Sequence, residues 1–169
     1  MTPMCELTTQ VQYGLAPLRA TLPESLRTEM IDISVRTLPR KAYGLIGGTS
    51  VDRPRTIYAC STNLRNTSDW KGAFESFGDF YCDPDRGFVI SPTEYLQITR
   101  KMERRGEMPV GVFHSHRCRP AEPTELDLAM HRLPELLCYI VSVVRPDSPD
   151  LKIYRIDDGR PLAVGYDVA

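Results

Sequence analysis

Two histidines and an aspartate, His114, His116 and Asp127, stand close together in the chain and are all residue types that a divalent zinc ion accepts as ligands. If residues 110–116 form a strand, its period of two puts His114 and His116 on one face and Ser115 on the other, so two imidazoles point at one spot. Pro120 and Pro123 keep the following stretch, 117–123, out of regular structure, and Thr124 opens a helix as its N-cap. Asp127 then falls at the third helical position, able to face back toward the strand end. Two imidazoles and one carboxylate leave a fourth tetrahedral position for water, the arrangement of a catalytic rather than a structural zinc site. Each part also has an ordinary explanation: His-x-His occurs in strands by chance, and Thr-Glu-Leu-Asp is by itself a capped helix start.

The elements that must position these residues follow from hydrophobic spacing. Residues 23–38 carry Leu26, Met30, Ile33 and Leu38 at helical intervals, with Glu24, Arg27, Glu29 and Arg36 on a wet face and Pro39 as terminator. Residues 42–48 read as a short buried strand ending in two glycines, and 55–63 alternate as a second. Residues 66–85 form a polar and aromatic connection holding Trp70, Phe74, Phe77, Phe80 and Tyr81, which either packs a small subdomain or lies over a substrate as a flap. A strand is expected at 88–90. Ser91-Pro92-Thr93-Glu94 has the form of a capping box and launches a helix to about residue 105, with Tyr95, Leu96 and Met102 as its core face. The helix of Asp127 runs to about residue 133. His131, one turn after Asp127, is either a partner that supports the ligands or a surface histidine. The apolar run 136–144 is a central strand buried on both faces, and 151–156 and 162–166 are the last two strands. Such an order packs as an α/β fold, a mixed β-sheet flanked by helices, with residues 1–21 as an N-terminal arm or edge strand and 22–169 as a single domain.

Composition narrows the function classes. The chain has 169 residues, 21 of them basic and 22 acidic, a balance that gives no electrostatic case for nucleic acid or an anionic membrane. No stretch reads as a signal peptide or approaches the ~20 apolar residues of a membrane span, so a cytoplasmic protein is expected. The five cysteines form no Cys-x-x-Cys pair and are read as free thiols. Cys118, two residues beyond His116, is the one that could reach a metal or substrate. A zinc deaminase of nucleosides requires His-x-Glu and Pro-Cys-x-x-Cys, and neither occurs.

The whole string His-Ser-His, seven residues, then Thr-x-x-Asp resembles the signature of the JAMM metalloproteases, the MPN+ family, in which a serine is usual where Thr124 stands. With the upstream Gly44-Leu45-Ile46-Gly47-Gly48 strand and the helix from Ser91, the likeness extends over about 23–156, and it implies an MPN-type sandwich related to the cytidine-deaminase sheet. It further implies zinc held by His114, His116 and Asp127, and hydrolysis of peptide, isopeptide or amide bonds. The implied substrates are the C-terminal tail of a ubiquitin-like or sulfur-carrier protein, or a related small-molecule amide. Thr124 would then help stabilise the oxyanion. The family's general base, a glutamate just before the Gly-Leu strand, corresponds to Lys41, and an ammonium cannot accept a proton. Either proton transfer is altered, with Lys41 neutral or Glu122 or Glu75 substituting, or the chain is a non-hydrolytic scaffold that lost the glutamate. Lys41 could equally be a solvated lysine at a strand start.

Overall fold

The computed structural model describes residues 19–169. Seven strands form one mixed sheet: β1 (Arg19–Leu22), β2 (Tyr43–Ser50), β3 (Arg53–Ala59), β4 (Met108–His116), β5 (Leu137–Ser142), β6 (Asp150–Asp157) and β7 (Arg160–Val168), in the order β1-β7-β6-β5-β4-β2-β3. The four α-helices among the described residues are α1 (Glu24–Arg36), α2 (Ser68–Glu75), α3 (Pro92–Arg104) and α4 (Glu125–Met130). The expected mixed α/β architecture is therefore observed. Residues 19–21, expected within the N-terminal arm, belong to an edge strand that pairs parallel with β7; the rest of that arm lies outside the described residues.

Alternation along the strands sorts the core into two layers. On one face Leu26 and Met30 of α1 pack against Ile46, Phe113, Tyr139 and Val141. On the other, Ile98 and Met102 of α3 meet Leu45 and Val112, while Cys138, Ile140, Tyr154 and Ile156 lie beneath Leu128 of α4. Each fully buried aliphatic or aromatic chain contributes about 1.5–3 kcal/mol. β5 is buried at every position, as a central strand covered on both faces must be.

β4 and β5 run parallel and are joined through α4, whereas β2 lies antiparallel to β4 on its other side. The C-terminal end of β4 thus meets the start of α4 and the N-terminal end of β2 at one place, the end of a sheet where α/β folds carry their sites.

Four local expectations need correcting. Residues 88–90 form no strand: only Ile90 makes a bridge, to Asn63, and the Asn63 carboxamide takes the N–H of Val89, so a side chain replaces a ladder. The Ser91 box does not close, because Glu94 turns away to accept from the N–H groups of Ser61 and Thr62 and from the Ser61 hydroxyl. The buried face of α3 is Ile98 and Met102, leaving Tyr95 and Leu96 exposed. The helix of Asp127 also stops at Met130, short of the expected end.

Candidate metal centre

The β4 register places His114 opposite Tyr43 of β2 and Ile140 of β5, so its ring is held between strands and is almost wholly buried. Ser115, on the opposite face, ties the strands together: its hydroxyl accepts from the Ala42 N–H at 2.9 Å and its own N–H donates to the Ala42 carbonyl at 2.8 Å. His116 follows, and its Nδ1 lies 2.9 Å from the Pro120 carbonyl. A carbonyl can only accept, so Nδ1 carries the hydrogen and Nε2 presents a lone pair. The loop prolines that end the strand therefore also fix the tautomer.

Asp127 is the third residue of α4, and its capping box with Thr124 is complete. Oδ2 accepts from the Thr124 N–H at 2.8 Å and from its hydroxyl at 2.7 Å, while the Asp127 N–H donates to Thr124 Oγ1 at 3.2 Å. The cap holds Oδ2 beside His116 and leaves Oδ1 directed at His114. His114 Nε2 is 3.1 Å from His116 Nε2 and 3.2 Å from Asp127 Oδ1; His116 Nε2 is 3.3 Å from Asp127 Oδ2. A tetrahedral zinc with arms of about 2.0–2.1 Å requires ligand–ligand edges of about 3.3–3.4 Å. The two ring nitrogens are spaced close to such an edge, and each faces a different oxygen of the Asp127 carboxylate at a similar distance; one ligand atom from each of the three residues lies within 4.8 Å of the others, the one such cluster among the described residues.

Protonation agrees with the geometry. Burial pushes His114 down to about 4, so its ring is neutral at physiological pH and is not an ion-pair partner of Asp127. Burial opposes charge on Asp127, but the neighbouring His114, then His116 and the Lys41 charge, outweigh it and hold the carboxyl well below the ordinary range. A neutral His114 imidazole beside an ionised carboxylate is the state in which these groups ligate a cation.

Lys41 is half-buried rather than solvated. It lines the same cavity as His116, Thr124 and Asp127, with its ammonium 5.5 Å from the centre of the Phe88 ring. Burial pushes its pKa down from 10.5, opposed by the Asp127 carboxylate. Phe88 in turn packs on Tyr43 and His114, at 4.9 and 5.4 Å between centroids.

The substitute bases are not brought to the cluster. Glu122 is exposed and pairs with Lys152 at 3.3 Å, and Glu75 faces Lys71 along α2. Thr124 is at the site, but its one hydroxyl hydrogen is directed to Asp127, which makes it a positioning group before it could serve an oxyanion. His131 donates its backbone N–H to the Asp127 carbonyl, yet its ring makes no hydrogen bond or ion pair with the three ligands; burial lowers its pKa. Cys118 lines the cavity beside Lys41, and Cys60, Cys82, Cys118 and Cys138 are free thiols.

Two cavities meet at Asp127. One, of about 270 Å³, is apolar and is bounded by Phe88, Ile90, Val112, His114, Met130 and Leu133. The other lies on the His116 side and is bordered by cations. The aromatic connection separates them. Phe74 and Tyr81 pack with Leu126 as a small core, so most of its rings are structural, while Phe80 faces the cationic cavity. Arg86, Arg119 and Phe88 were not distinguishable in the sequence. An arginine or phenylalanine in a polar segment has no spacing signature, and only the fold brings Arg86 and Phe88, at the end of the connection, and Arg119, in the loop after β4, beside the ligands.

Comparison with known proteins agrees with this geometry. Residues 23–157 match the family described as prokaryotic homologs of the JAB domain. Proteins named CysO-cysteine peptidase from Mycobacterium tuberculosis and Mycobacterium bovis are 36% identical over 72 residues, 43% of this chain and 49% of theirs. The chain thus spans about half the length of these curated relatives. Among solved structures, a protein of Desulfitobacterium hafniense superposes with a TM-score of 0.68 at 25% identity, covering 89% of this chain and 92% of the other. A protein of Salinibacter ruber shares the fold with a TM-score of 0.55 at 22% identity, covering 89% and 90%. With most of its length matched and the signature residues brought together, the chain belongs to the prokaryotic JAB-domain family.

Proposed function

We propose that the protein is a zinc-dependent hydrolase that cuts an amide bond at the C-terminal tail of a small carrier protein of the ubiquitin-like, sulfur-carrier type. The observation that carries the reading is the convergence of two ring nitrogens 3.1 Å apart with the Asp127 carboxylate, whose oxygens lie 3.2 Å from His114 and 3.3 Å from His116, a donor set that suits zinc. The family and the peptidase named among its relatives support the reaction and the substrate class. When bound, zinc supplies electrophilic assistance to a carbonyl and acidifies water.

His114 and His116 would offer ring-nitrogen donors, Asp127 the carboxylate, and Thr124 holds that carboxylate in its rotamer. The apolar cavity beside His114 excludes water from an extended tail. In hydrolysis the carbonyl carbon–nitrogen bond breaks, the water oxygen goes to the acyl carbon, and a proton goes to the departing amine. Lys41, while charged, cannot accept the proton of the attacking water. Its positive charge instead favours negative charge developing on the carbonyl oxygen. Loss of a carboxylate base costs a rate factor on the order of 10² to 10⁴.

The test is elemental analysis of the purified protein joined to mass spectrometry of a carrier protein ending in Gly-Gly plus added residues. Stoichiometric zinc, lost in His116→Ala, and release of the added residues are expected. Protein free of zinc after purification and after zinc addition would sink the proposal. One observation favours a second reading, a scaffold without turnover: the base position holds a cation. Bound zinc without cleavage of any carrier tail is the result that reading requires.

A further inference from the structure

The cation at the base position is not alone. Lys41, Arg86, Arg117 and Arg119 all border the cavity on the His116 side, against only Asp85 and the ligand Asp127. Their commitments differ. Arg117 is spent on the protein, with one nitrogen 2.6 Å from Asp83 and the other 2.9 Å from the Pro39 carbonyl. Arg86 gives Nε to the same Asp83 at 3.0 Å and lies 3.4 Å over the Phe80 ring, while its Nη1 is buried with no hydrogen-bond partner among the described residues. Arg119 lies 4.2 Å over Phe80, is exposed, and forms no ion pair among the described residues. Lys41 lies 5.5 Å from the centre of the Phe88 ring and feels the Asp127 carboxylate, with no hydrogen bond or ion pair among the described residues.

A buried guanidinium nitrogen without an acceptor is costly, and a charged one more so. Three cations short of acceptors around one cavity, one of them with an orphaned donor, form a receptor for an anion. Stacking on Phe80 fixes the plane of Arg86, which leaves its free edge ready for a planar carboxylate.

We propose that this cavity, of about 40 Å³, is the leaving-group side of the site and that it receives the free α-carboxylate of a departing amino acid, held by Arg86 and Arg119 with Lys41 alongside, while the rest of that amino acid lies outside it. The proposal rests on the hydrolase reading above and deepens it. The covalent geometry suits it: in an amide whose nitrogen belongs to a terminal amino acid, the carboxylate carbon is two bonds from that nitrogen. Its oxygens therefore lie within about 4 Å of the bond to be cut. They fall on groups bordering the ligands, as these cations do. An isopeptide to a lysine side chain places methylenes at that distance instead, and would leave the cations unpaired and desolvated. The apolar cavity on the His114 side then receives the tail itself. The chain is thereby assigned to removing one terminal amino acid, not to cutting a protein–protein isopeptide.

The test compares acetyl-Gly-Gly-Ala as the free acid with its carboxamide, and with the isopeptide of acetyl-Gly-Gly to a lysine side chain. Binding to the full chain is followed by NMR titration and cleavage by mass spectrometry. The free acid is expected to bind about tenfold more tightly than the carboxamide. Most of that preference should be lost in Arg86→Gln and in Arg119→Gln, with the loss appearing in KM rather than kcat wherever turnover occurs. Arg86 also supports Asp83, so the exposed Arg119 is the variant whose fold is not at stake. Equal binding of acid and carboxamide, or a preference surviving both substitutions, overturns the proposal. Selective binding of the acid without cleavage leaves the anion site standing and removes the hydrolase reading, so the two fail separately.

Discussion

Replacing Thr124 by valine separates two jobs done by one hydroxyl. As N-cap it accepts from the Asp127 N–H, and as a positioning group it donates to Asp127 Oδ2 at 2.7 Å. Loss of the cap costs about 1 kcal/mol, which lowers Tm by about 2–4 °C in a chain of this size. Loss of a partner that orients a metal ligand typically costs 10–100-fold in metal affinity. The Thr124 backbone N–H still holds Oδ2 at 2.8 Å, so the carboxylate is loosened and not freed. The expected fall is therefore toward the lower end, about 10- to 30-fold. Zinc affinity is read by competition with a chromogenic chelator, and stability by melting the metal-free protein. Thr124→Ser keeps the hydroxyl and should restore zinc affinity to near the parent value. If the valine variant melts earlier yet binds zinc as tightly as the parent, the hydroxyl serves only the helix and the positioning argument fails.

Other consequences follow from particular contacts. Lys41→Glu supplies a base and should raise carrier-tail cleavage by a factor on the order of 10²; equal rates would assign proton transfer to another group. Zinc addition should raise the Tm of the parent protein and leave that of His116→Ala unchanged, because only a folded donor set binds the ion. Gly44→Ala puts a methyl 2.3 Å from the Tyr58 carbonyl oxygen and 2.9 Å from Ala59 Cα, both backbone atoms that cannot swing aside. A loss of at least about 3 kcal/mol is expected in denaturant unfolding. The Asp83 carboxyl is held below its ordinary value by the Asp85 N–H first, and then by Arg86 and Arg117. A depressed carboxylate stabilises the fold above the unfolded value of about 3.9 and loses that contribution as pH falls through the lower folded value. The Tm gap between parent and Asp83→Asn should accordingly be present near pH 7 and narrow near pH 3.

Much of the fold was legible because its signals are periodic. The α1 helix, the β2–β3 hairpin, the central β5 and the closing β6–β7 hairpin follow from spacing that a helix or strand imposes over several residues. His114, His116 and Asp127 were legible for the same reason, since strand period, proline loop and N-cap together dictate their convergence. What failed was local chemistry with more than one outlet. Ser91 and Glu94 have the letters of a capping box, but the backbone N–H groups of Ser61 and Thr62 offer Glu94 better occupation. Residues 88–90 have strand-like composition, yet no neighbouring strand, and Asn63 takes the place of one. Glu122 is near the ligands in sequence but faces Lys152 in space, because the loop turns it outward. The cationic cavity had no sequence signature, as its members come from residue 41, the connection and the loop after β4.

Lys41 joins the two questions the site raises. Exchanging a carboxylate for an ammonium removes a proton acceptor and simultaneously adds a cation beside Arg86 and Arg119, so one substitution acts on chemistry and on recognition with opposite signs. For a substrate whose departing group is anionic, the added cation offsets part of the lost rate by tighter binding near the bond that breaks. For a neutral departing group it offers no such gain, and only the loss of the base remains. Restoring glutamate should therefore favour the carboxamide substrate more than the free acid, narrowing the ratio of their kcat/KM values while raising both. A scaffold without turnover predicts no such asymmetry, since there the cation would have replaced the base with nothing to recognise. The ratio, not the absolute rate, is what distinguishes an enzyme with redirected specificity from a site that has lost its reaction.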